Sequence, residues 1–563
     1  MSGMDGLRRS VRGLATARGV AWICVAAFWL YIWRVPIWSA DDLLFATRSG
    51  TAGGRIAWGR VLPLLFDDVN NRVGRTADML AQFIFSTGPL IGVIMAASCF
   101  LQSFALWRLF RAVARQLGRQ DDVVVGVVSL AGGIALPFSL LTTEPELAGS
   151  TVMFMAANVG YVLGSAMMLA AAVLLWRVRE RGSARWWQLA LVVAFACFVG
   201  IHHELLALGI AGAVLGLAVV TRRSDWRPSW VIALVVTLAV SFGRYAARGL
   251  WKRQDRLLRP FPIEDLSSID QHRVLAVFAV SQALGVHPEL YICLAAALVA
   301  LAWAVRRRVA HPRAFIVTLV VFLAGAVGMT LLATKVRRNV TLNGATLGRA
   351  AIYQAGTATL LLAATLVTVV AMVVLVTMMR SVEGAVIVVP VIGMTLGLYS
   401  MPVLLGSPYG RTFYVPMLMC MVATVVMAMV AWSASRSSAA LGTGSVAEPA
   451  ETDAGVGAEE YGRSGTRAPA AAVAAMLVIA ASVGPAVQGA SHLVNAVDSN
   501  IAVWKPVLAQ LEAAQEGRAR AVIIPKDLPR PDYAVDYTGG GVYYRGNLAK
   551  YYDIPASIRI KAR

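Results

Sequence analysis

The feature that most constrains this chain is its run of apolar blocks about 17–25 residues long, the length that carries an α-helix across the ~30 Å hydrocarbon core of a bilayer. Inside hydrocarbon each backbone N–H and C=O must be satisfied within its own segment or a closed barrel, so blocks of this length fold as spanning helices. Composition agrees: 58% of the 563 residues are apolar and only 15% charged, against roughly 45–50% and 25% in soluble domains. The expected class is an all-α polytopic membrane protein; disordered, fibrous and disulfide-scaffold classes are excluded. The formal charge of +20 would suggest nucleic acid in a soluble protein. Here its main source is the arginine-rich loops that fix topology, and no nucleic-acid partner is expected.

Cys24, Cys99, Cys197, Cys293 and Cys420 all fall inside apolar blocks, without CxxC or Cys/His spacing, and read as buried thiols. The first block, about 20–38, is too long for a signal-peptide core, and cleavage before Asp41 would place Trp38 at the −3 position. It is expected to remain as an uncleaved anchor.

Hydropathy gives about 13 spans. They lie near 20–38, 88–107, 122–141, 159–176, 186–202, 204–221 and 229–246, then near 288–305, 314–334, 353–379, 384–404, 413–433 and 468–488. Residues 1–435 hold the first twelve, with an outer loop 1 at 39–87. An Ala/Gly/Ser/Glu-rich stretch at 436–467 reads as a disordered cytoplasmic linker. The last span is followed by an extracytoplasmic tail, 489–563, in which Trp504–Ala514 looks helical and Ala521–Pro525 looks like a strand before a Gly/Tyr-rich turn. Arginines at 8, 9, 12 and 18, at 108, 111, 115 and 119, at 177–185, at 222–227 and at 306–313 fall on one side if the N-terminus is cytoplasmic. Arg34 is placed inside span 1.

The outer side holds charges that orientation does not explain. Loop 1 carries Asp41, Asp42, Arg48, Arg55, Arg60, Asp67, Asp68, Arg72, Arg75 and Asp78; further outer cations run from Arg244 to Arg259, at Lys335, Arg337, Arg338 and Arg349, and at Arg411. Asp41-Asp42 directly follows the first span. As plain structure the pair caps a short amphipathic helix. As chemistry, adjacent carboxylates beside hydrocarbon raise each other's pKa by repulsion and desolvation, and a carboxylate so poised can take a proton from a sugar hydroxyl.

A multispan chain with an acidic pair after span 1 resembles the GT-C superfamily of integral membrane glycosyltransferases, in particular bacterial multispan families related to O-antigen glucosyltransferases. The string RIAWGRVLPLLFDDVNNRVGR resembles their Asn-Gly-Arg stretch, although Trp58-Gly59-Arg60 and Asn71-Arg72 share its elements without a strict match; YYRGNLAKYYDIP resembles their Tyr-rich ending. The resemblance implies a GT-C-like fold, and the helix-then-strand pattern of the tail with its Tyr-rich end predicts a small α/β extracytoplasmic element. It also implies a sugar donor carried on polyprenyl phosphate, and a glycan or glycolipid acceptor, at the outer face of a bacterial plasma membrane. Asp41 or Asp42 would be the catalytic base. Cofactors are expected to be none, or a Mg or Mn ion at that pair.

Arg337, Arg338 and Arg349, in KVRRNVTLNGATLGR, and Arg411, at a helix N-terminus, are expected to hold the donor phosphate; the plain reading is arginines snorkelling to lipid headgroups. Trp58, Arg60, Asn71, Arg72, Glu144, His202, His203 and Glu204 are candidates for binding acceptor or shaping the site. For Glu144, in Thr-Thr-Glu-Pro-Glu, an interfacial helix cap explains the sequence equally well. His202-His203-Glu204 reads as a tight turn at the outer edge or as part of one bent helix; adjacent histidines on a helix point about 100° apart and lack the HExxH spacing of a zinc site. Asn158 and Tyr161, in NVGYVLGS, open span 4, where small residues suggest a packing face. Two rival classes stay open, a transporter of lipid-linked or anionic solutes and a non-catalytic envelope assembly subunit.

Overall fold

The computed structural model describes residues 2–34, 75–85, 90–143, 147–181, 185–222, 226–252, 288–339, 355–382, 385–405, 410–443, 467–525 and 542–562, with single positions 47, 59, 63, 67, 87 and 280. Among them nine helices are long and apolar enough to cross a membrane, and three shorter apolar helices accompany them. The chain is a multi-pass helical membrane protein.

In order, the helices are α1 (Ser2–Ile32), α2 (Thr76–Phe85), α3 (Ile91–Gln116), α4 (Val123–Thr143), α5 (Gly164–Arg181), α6 (Trp186–His202), α7 (Glu204–Val220) and α8 (Pro228–Gly243). They continue as α9 (Pro288–Val305), α10 (Pro312–Asn339), α11 (Ala355–Met378), α12 (Val388–Leu405), α13 (Tyr414–Thr443) and α14 (Arg467–Gln515). Two π-helical turns, Ala148–Val152 and Asn158–Leu163, lead into α5.

The core is organised around α7, whose residues are almost all buried. It packs against α12 without spacer side chains: a Cβ on Gly212 would stand 2.0 Å from the Gly393 carbonyl oxygen, and one on Gly397 2.0 Å from that of Leu208. Gly212-x-x-x-Gly216 and Gly393-x-x-x-Gly397 thus bring two backbones together where hydrophobic burial gives no driving force and close packing must supply it. The falling register, 208 with 397 and 212 with 393, makes the pair antiparallel. By contrast α10 and α11 pack mainly on each other and turn apolar side chains such as Val317, Leu331, Leu360 and Leu366 outward, as lipid-facing helices do.

The ends of the bundle sort into two sets. At one end Arg18 lies over Trp107, Arg179 donates to the Val220 carbonyl at 2.7 Å and Arg308 lies 3.4 Å from that of Ala434. This basic end gathers the arginine clusters. The opposite end gathers Arg34, Arg75, His202, Glu204 and Arg411.

Several boundaries differ from expectation. Helix α3 continues through Arg108, Arg111 and Arg115, which were expected in a loop; an aqueous helical turn satisfies its own backbone, so helices outrun their apolar blocks. Helix α13 likewise extends to Thr443, into the segment expected to be disordered linker. Arg34 does not lie inside a span: α1 stops at Ile32, and the Arg34 guanidinium, in the turn beyond, pairs with Asp498. Segments 186–202 and 204–221 are two helices.

The expected last span, 468–488, is the first part of a 49-residue helix, roughly 74 Å long. It packs along α4 and projects beyond the bundle, carrying Trp504–Ala514 with it. Gly517, at φ +71°, ends it in the left-handed conformation that glycine adopts without steric cost, and the Arg518 N–H closes back on the Ala513 carbonyl at 2.7 Å. Strand β1 (Ala521–Ile524) then pairs in parallel with β2 (Arg559–Ala562), with α15 (Val542–Tyr551) between them. The tail is a small α/β unit with Trp504, Leu511, Val522, Ile524 and Leu548 at its core. The Gly-rich part of the expected Gly/Tyr-rich turn lies outside the described residues, and from Val542 the string is helical through Tyr551.

Candidate functional site

Helix α6 ends at His202 and α7 begins at Glu204; His203 between them is extended, with φ −151° and ψ 140°. Here the chain reverses: α5 and α7 run alongside each other in rising register, Gly164 against Leu206 and Met168 against Gly209. The turn is closed by its own side chains. His203 Nδ1 accepts the Leu205 N–H at 3.2 Å, capping α7. His202 Nε2 donates to the Val159 carbonyl at 3.0 Å, and its Nδ1 stands 3.3 Å from the Thr76 hydroxyl.

These partners settle the tautomers. A carbonyl only accepts, so His202 carries its proton on Nε2 and takes the Thr76 hydroxyl proton at Nδ1. His203, accepting a backbone N–H at Nδ1, has its proton on Nε2 when neutral. Neither ring then offers a lone pair to a metal in this arrangement. Among the described residues no group of three His, Cys, Asp or Glu side chains could hold a metal ion.

Glu204 is 2% exposed, and Arg75 in front of α2 reaches it with a two-pronged grip: Nε donates to Oε2 at 2.7 Å and Nη2 to Oε1. Burial works against the Arg75 charge, but the Glu204 carboxylate and the hydrogen bonds to it more than offset that and hold its pKa above the ordinary arginine value. Tyr245 donates its hydroxyl to the Glu204 carbonyl at 2.7 Å. Arg244, buried in the turn after α8, and Asp78 also act electrostatically on this pair. Two cations and two carboxylates therefore meet at one place, a balanced charge knot whose geometry suits positioning better than capture of an anion.

Under the knot lie the π-helical turns. Tyr161 packs on the His203 ring with centroids 4.8 Å apart. A Cβ on Gly160 would stand 3.3 Å from His203 Cδ2, and one on Gly164 2.5 Å from Leu206 Cδ1, so the small residues of this segment do form a packing face. Asn158, fully buried, accepts the Ser98 hydroxyl proton at 2.6 Å and donates to the Val152 carbonyl at 2.8 Å. Below it Gln102 donates to Ser165 at 2.7 Å and accepts from Tyr414 at 2.9 Å. These hydrogen bonds pin the π-turns to α3, and α3 in turn to α5 and α13. Such turns commonly mark functional sites.

Arg411, in the 3-10 turn Gly410–Phe413 before α13, lies at this same end, its guanidinium 5.4 Å from the Phe154 ring centroid. Asp41, Asp42, Trp58, Arg60, Asn71, Arg72, Glu144 and Arg349 lie outside the described residues. Arg337 and Arg338 belong to the last turn of α10 by backbone, their side chains being outside the description. Of the candidates, His202, His203 and Glu204 come together in the knot, with Arg411 at the same end of the bundle.

No protein-family model, curated protein or solved structure matches this chain. Sequence reasoning missed the partners. A buried carboxylate in CFVGIHHELLALG needs a cation, yet nothing in the order of residues selects Arg75 from the many at this end. It also missed three contacts made by the chain between α1 and α2, a stretch that overlaps the expected loop 1. Arg34, at its start, pairs with Asp498 on α14, an acceptor it shares with the Tyr31 hydroxyl. Thr47, shortly after the acidic pair, accepts from Lys550 of α15 through its carbonyl at 3.2 Å. Arg75, at the end of that stretch, grips Glu204.

Proposed function

We propose that this protein is an inverting glycosyltransferase of the outer face of a bacterial plasma membrane, using a polyprenyl-phosphate-linked sugar and a glycan or glycolipid acceptor. The observation that carries the reading is the tethering of the chain between α1 and α2. Three chain-distant parts of the protein hold the stretch that bears Asp41 and Asp42: α14 at Arg34, the tail at Thr47 and α7 at Arg75. A general base contributes only when held within hydrogen-bond reach of its proton, and attachment of this part of the chain at three points supports such a role for Asp41 or Asp42. In this reading the basic end faces the cytoplasm, in keeping with the positive-inside rule, and loop 1 and the tail lie outside.

In this mechanism the acceptor oxygen attacks the anomeric carbon while Asp41 or Asp42 takes its proton. The bond from that carbon to the phosphate oxygen breaks, and polyprenyl phosphate leaves with the electron pair. Arg411, with Arg337, Arg338 and Arg349, stabilises the charge that develops on the phosphate. The knot of Arg75, Arg244, Glu204 and Asp78, with His202 and His203 beside it, positions this part of the chain and touches no reacting atom.

The test is release of polyprenyl phosphate from a polyprenyl-phosphoryl sugar by purified protein in nanodiscs supplied with a cell-envelope glycan or glycolipid fraction as acceptor. Asp41→Asn and Asp42→Asn are made separately, and one of them is expected to reduce release by about 10²–10⁴-fold with donor binding retained. Wild-type turnover in both variants ends the assignment of the base. Addition of EDTA to the same assay tests for a Mg or Mn ion at the pair, and loss of turnover restored by either metal would establish it.

A further inference from the structure

At the basic end, away from the knot, α1, α3, α4 and α14 enclose a groove of about 600 Å³. Its walls are apolar, with Phe28 of α1, Ala131 and Ile134 of α4 and Val487 of α14 among them, and its polar groups include two arginines, Arg18 and Arg111. Arg18 is exposed and lies over the Trp107 ring at 5.7 Å; Arg111 is half-buried and donates one N–H to the Gln120 carbonyl at 2.8 Å, leaving the rest of its fork for another acceptor. Asp121 and Asp122 are the carboxylates of the neighbouring loop, and Asp122 is occupied in capping α4 through the Val124 N–H at 3.0 Å.

We infer that this groove holds one anionic diacyl phospholipid from the leaflet at the basic end, its phosphate between Arg18 and Arg111 and an acyl chain along α4. Three observations select that occupant. Charge is the first: two guanidinium groups stand at the mouth of an otherwise oily slot, and a planar guanidinium matches phosphate oxygens. Length is the second. From Arg18 to Phe28 the groove follows α1 for ~15 Å, half of a ~30 Å hydrocarbon core, which suits a lipid of one leaflet and not a far longer polyprenyl chain. Access is the third: Val127 and Val487 on its walls are 49% and 65% exposed, so the slot opens sideways, where a membrane lipid enters. The inference does not depend on the proposed glycosyl transfer, and neither arginine belongs to that site.

The experiment uses full-length protein in nanodiscs of phosphatidylcholine containing a fixed fraction of phosphatidylglycerol. Lipid retained per chain is counted by native mass spectrometry after transfer to detergent. Wild type should retain one phosphatidylglycerol in preference to phosphatidylcholine. Arg18→Gln with Arg111→Gln should lower that retention at least tenfold, while Arg18→Lys with Arg111→Lys keeps part of it. Ala131→Trp, which fills the groove and leaves the arginines in place, should remove retained lipid of both kinds. Monodisperse elution and a wild-type melting temperature mark a folded variant. Equal retention of the two lipids by wild type, full retention in the double Gln variant, or preferential retention of added polyprenyl phosphate would each overturn the inference.

Discussion

At position 204 a carboxylate lies 2% exposed against a guanidinium 14% exposed, so removing either partner leaves the other buried without its two-pronged partner and unbalances the charges around it. Glu204→Gln or Arg75→Met should cost about 3–5 kcal/mol, whereas Arg75→Met combined with Glu204→Leu should recover most of it, because neither charge remains to be desolvated. Melting temperatures in nanodiscs, combined in a double-mutant cycle, measure the coupling; singles as stable as wild type would show that the pair does not form. With the Arg75 pKa raised, the stability it contributes is fully present below the unfolded arginine pKa and is lost only above it. The contribution of Arg75 should therefore stay constant between pH 5 and pH 9, about the range in which such measurements are made. Arg411 belongs to a different kind of prediction. Arg411→Ala should weaken binding of the polyprenyl-phosphate donor by about 10- to 150-fold, the loss expected for a charge-assisted hydrogen bond, and Arg411→Lys should restore part of it. Equal donor binding in all three proteins would remove Arg411 from the phosphate site.

The contact between α7 and α12 and the docking of the tail can each be tested as elements. Gly212→Val places a branched side chain where even a Cβ would stand 2.0 Å from a carbonyl oxygen; neither backbone can yield without separating the helices. The expected result is loss of folded protein on expression, in contrast with Gly243→Ala, where a Cβ meets nothing within 4 Å. In the tail, burial pushes the Tyr551 phenol up to about 12 and raises that of Tyr552 as well. An acid whose pKa is raised on folding retains more protons in the folded state, so its stabilisation is complete below the unfolded value near 10 and fades as pH rises toward 12. Limited proteolysis of the tail should accordingly accelerate between pH 10 and 12, in step with tyrosinate absorbance. Cleavage at equal rates at pH 8 and pH 11.5 would show that the phenols are not buried in the docked tail.

Over the whole molecule, the proposed function depends on which end of the bundle faces the cytoplasm. Single-cysteine variants Glu516→Cys, on the tail side, and Arg307→Cys, at the basic end, both exposed, report it in a background without the five native thiols. Membrane-impermeant maleimide applied to intact cells should label position 516 and not 307. Labelling of 307 alone would put loop 1 in the cytoplasm and end the outer-face mechanism.

Local physics explains what could be read before the fold was known. Apolar blocks of bilayer length had to become helices because hydrocarbon tolerates no unsatisfied backbone, and several boundaries, such as Pro288–Val305, lie where hydropathy places them. The strand at Ala521–Ile524 was legible too, as a short β-branched run. Other boundaries moved, at α3, α13 and α14, because outside the bilayer water and neighbouring helices decide where a helix stops. Among the residues of the candidate site, the acidic and basic types and the polar break at 202–204 stood out from the sequence alone. Their pairing did not, since the chain order of Arg34 and Asp498, Thr47 and Lys550, or Arg75 and Glu204 contains no signal of contact. That choice belonged to the tertiary structure: once α7 is locked against α12 by the glycine contacts, Glu204 has a fixed, water-poor position, and only a cation reaching that point can satisfy it.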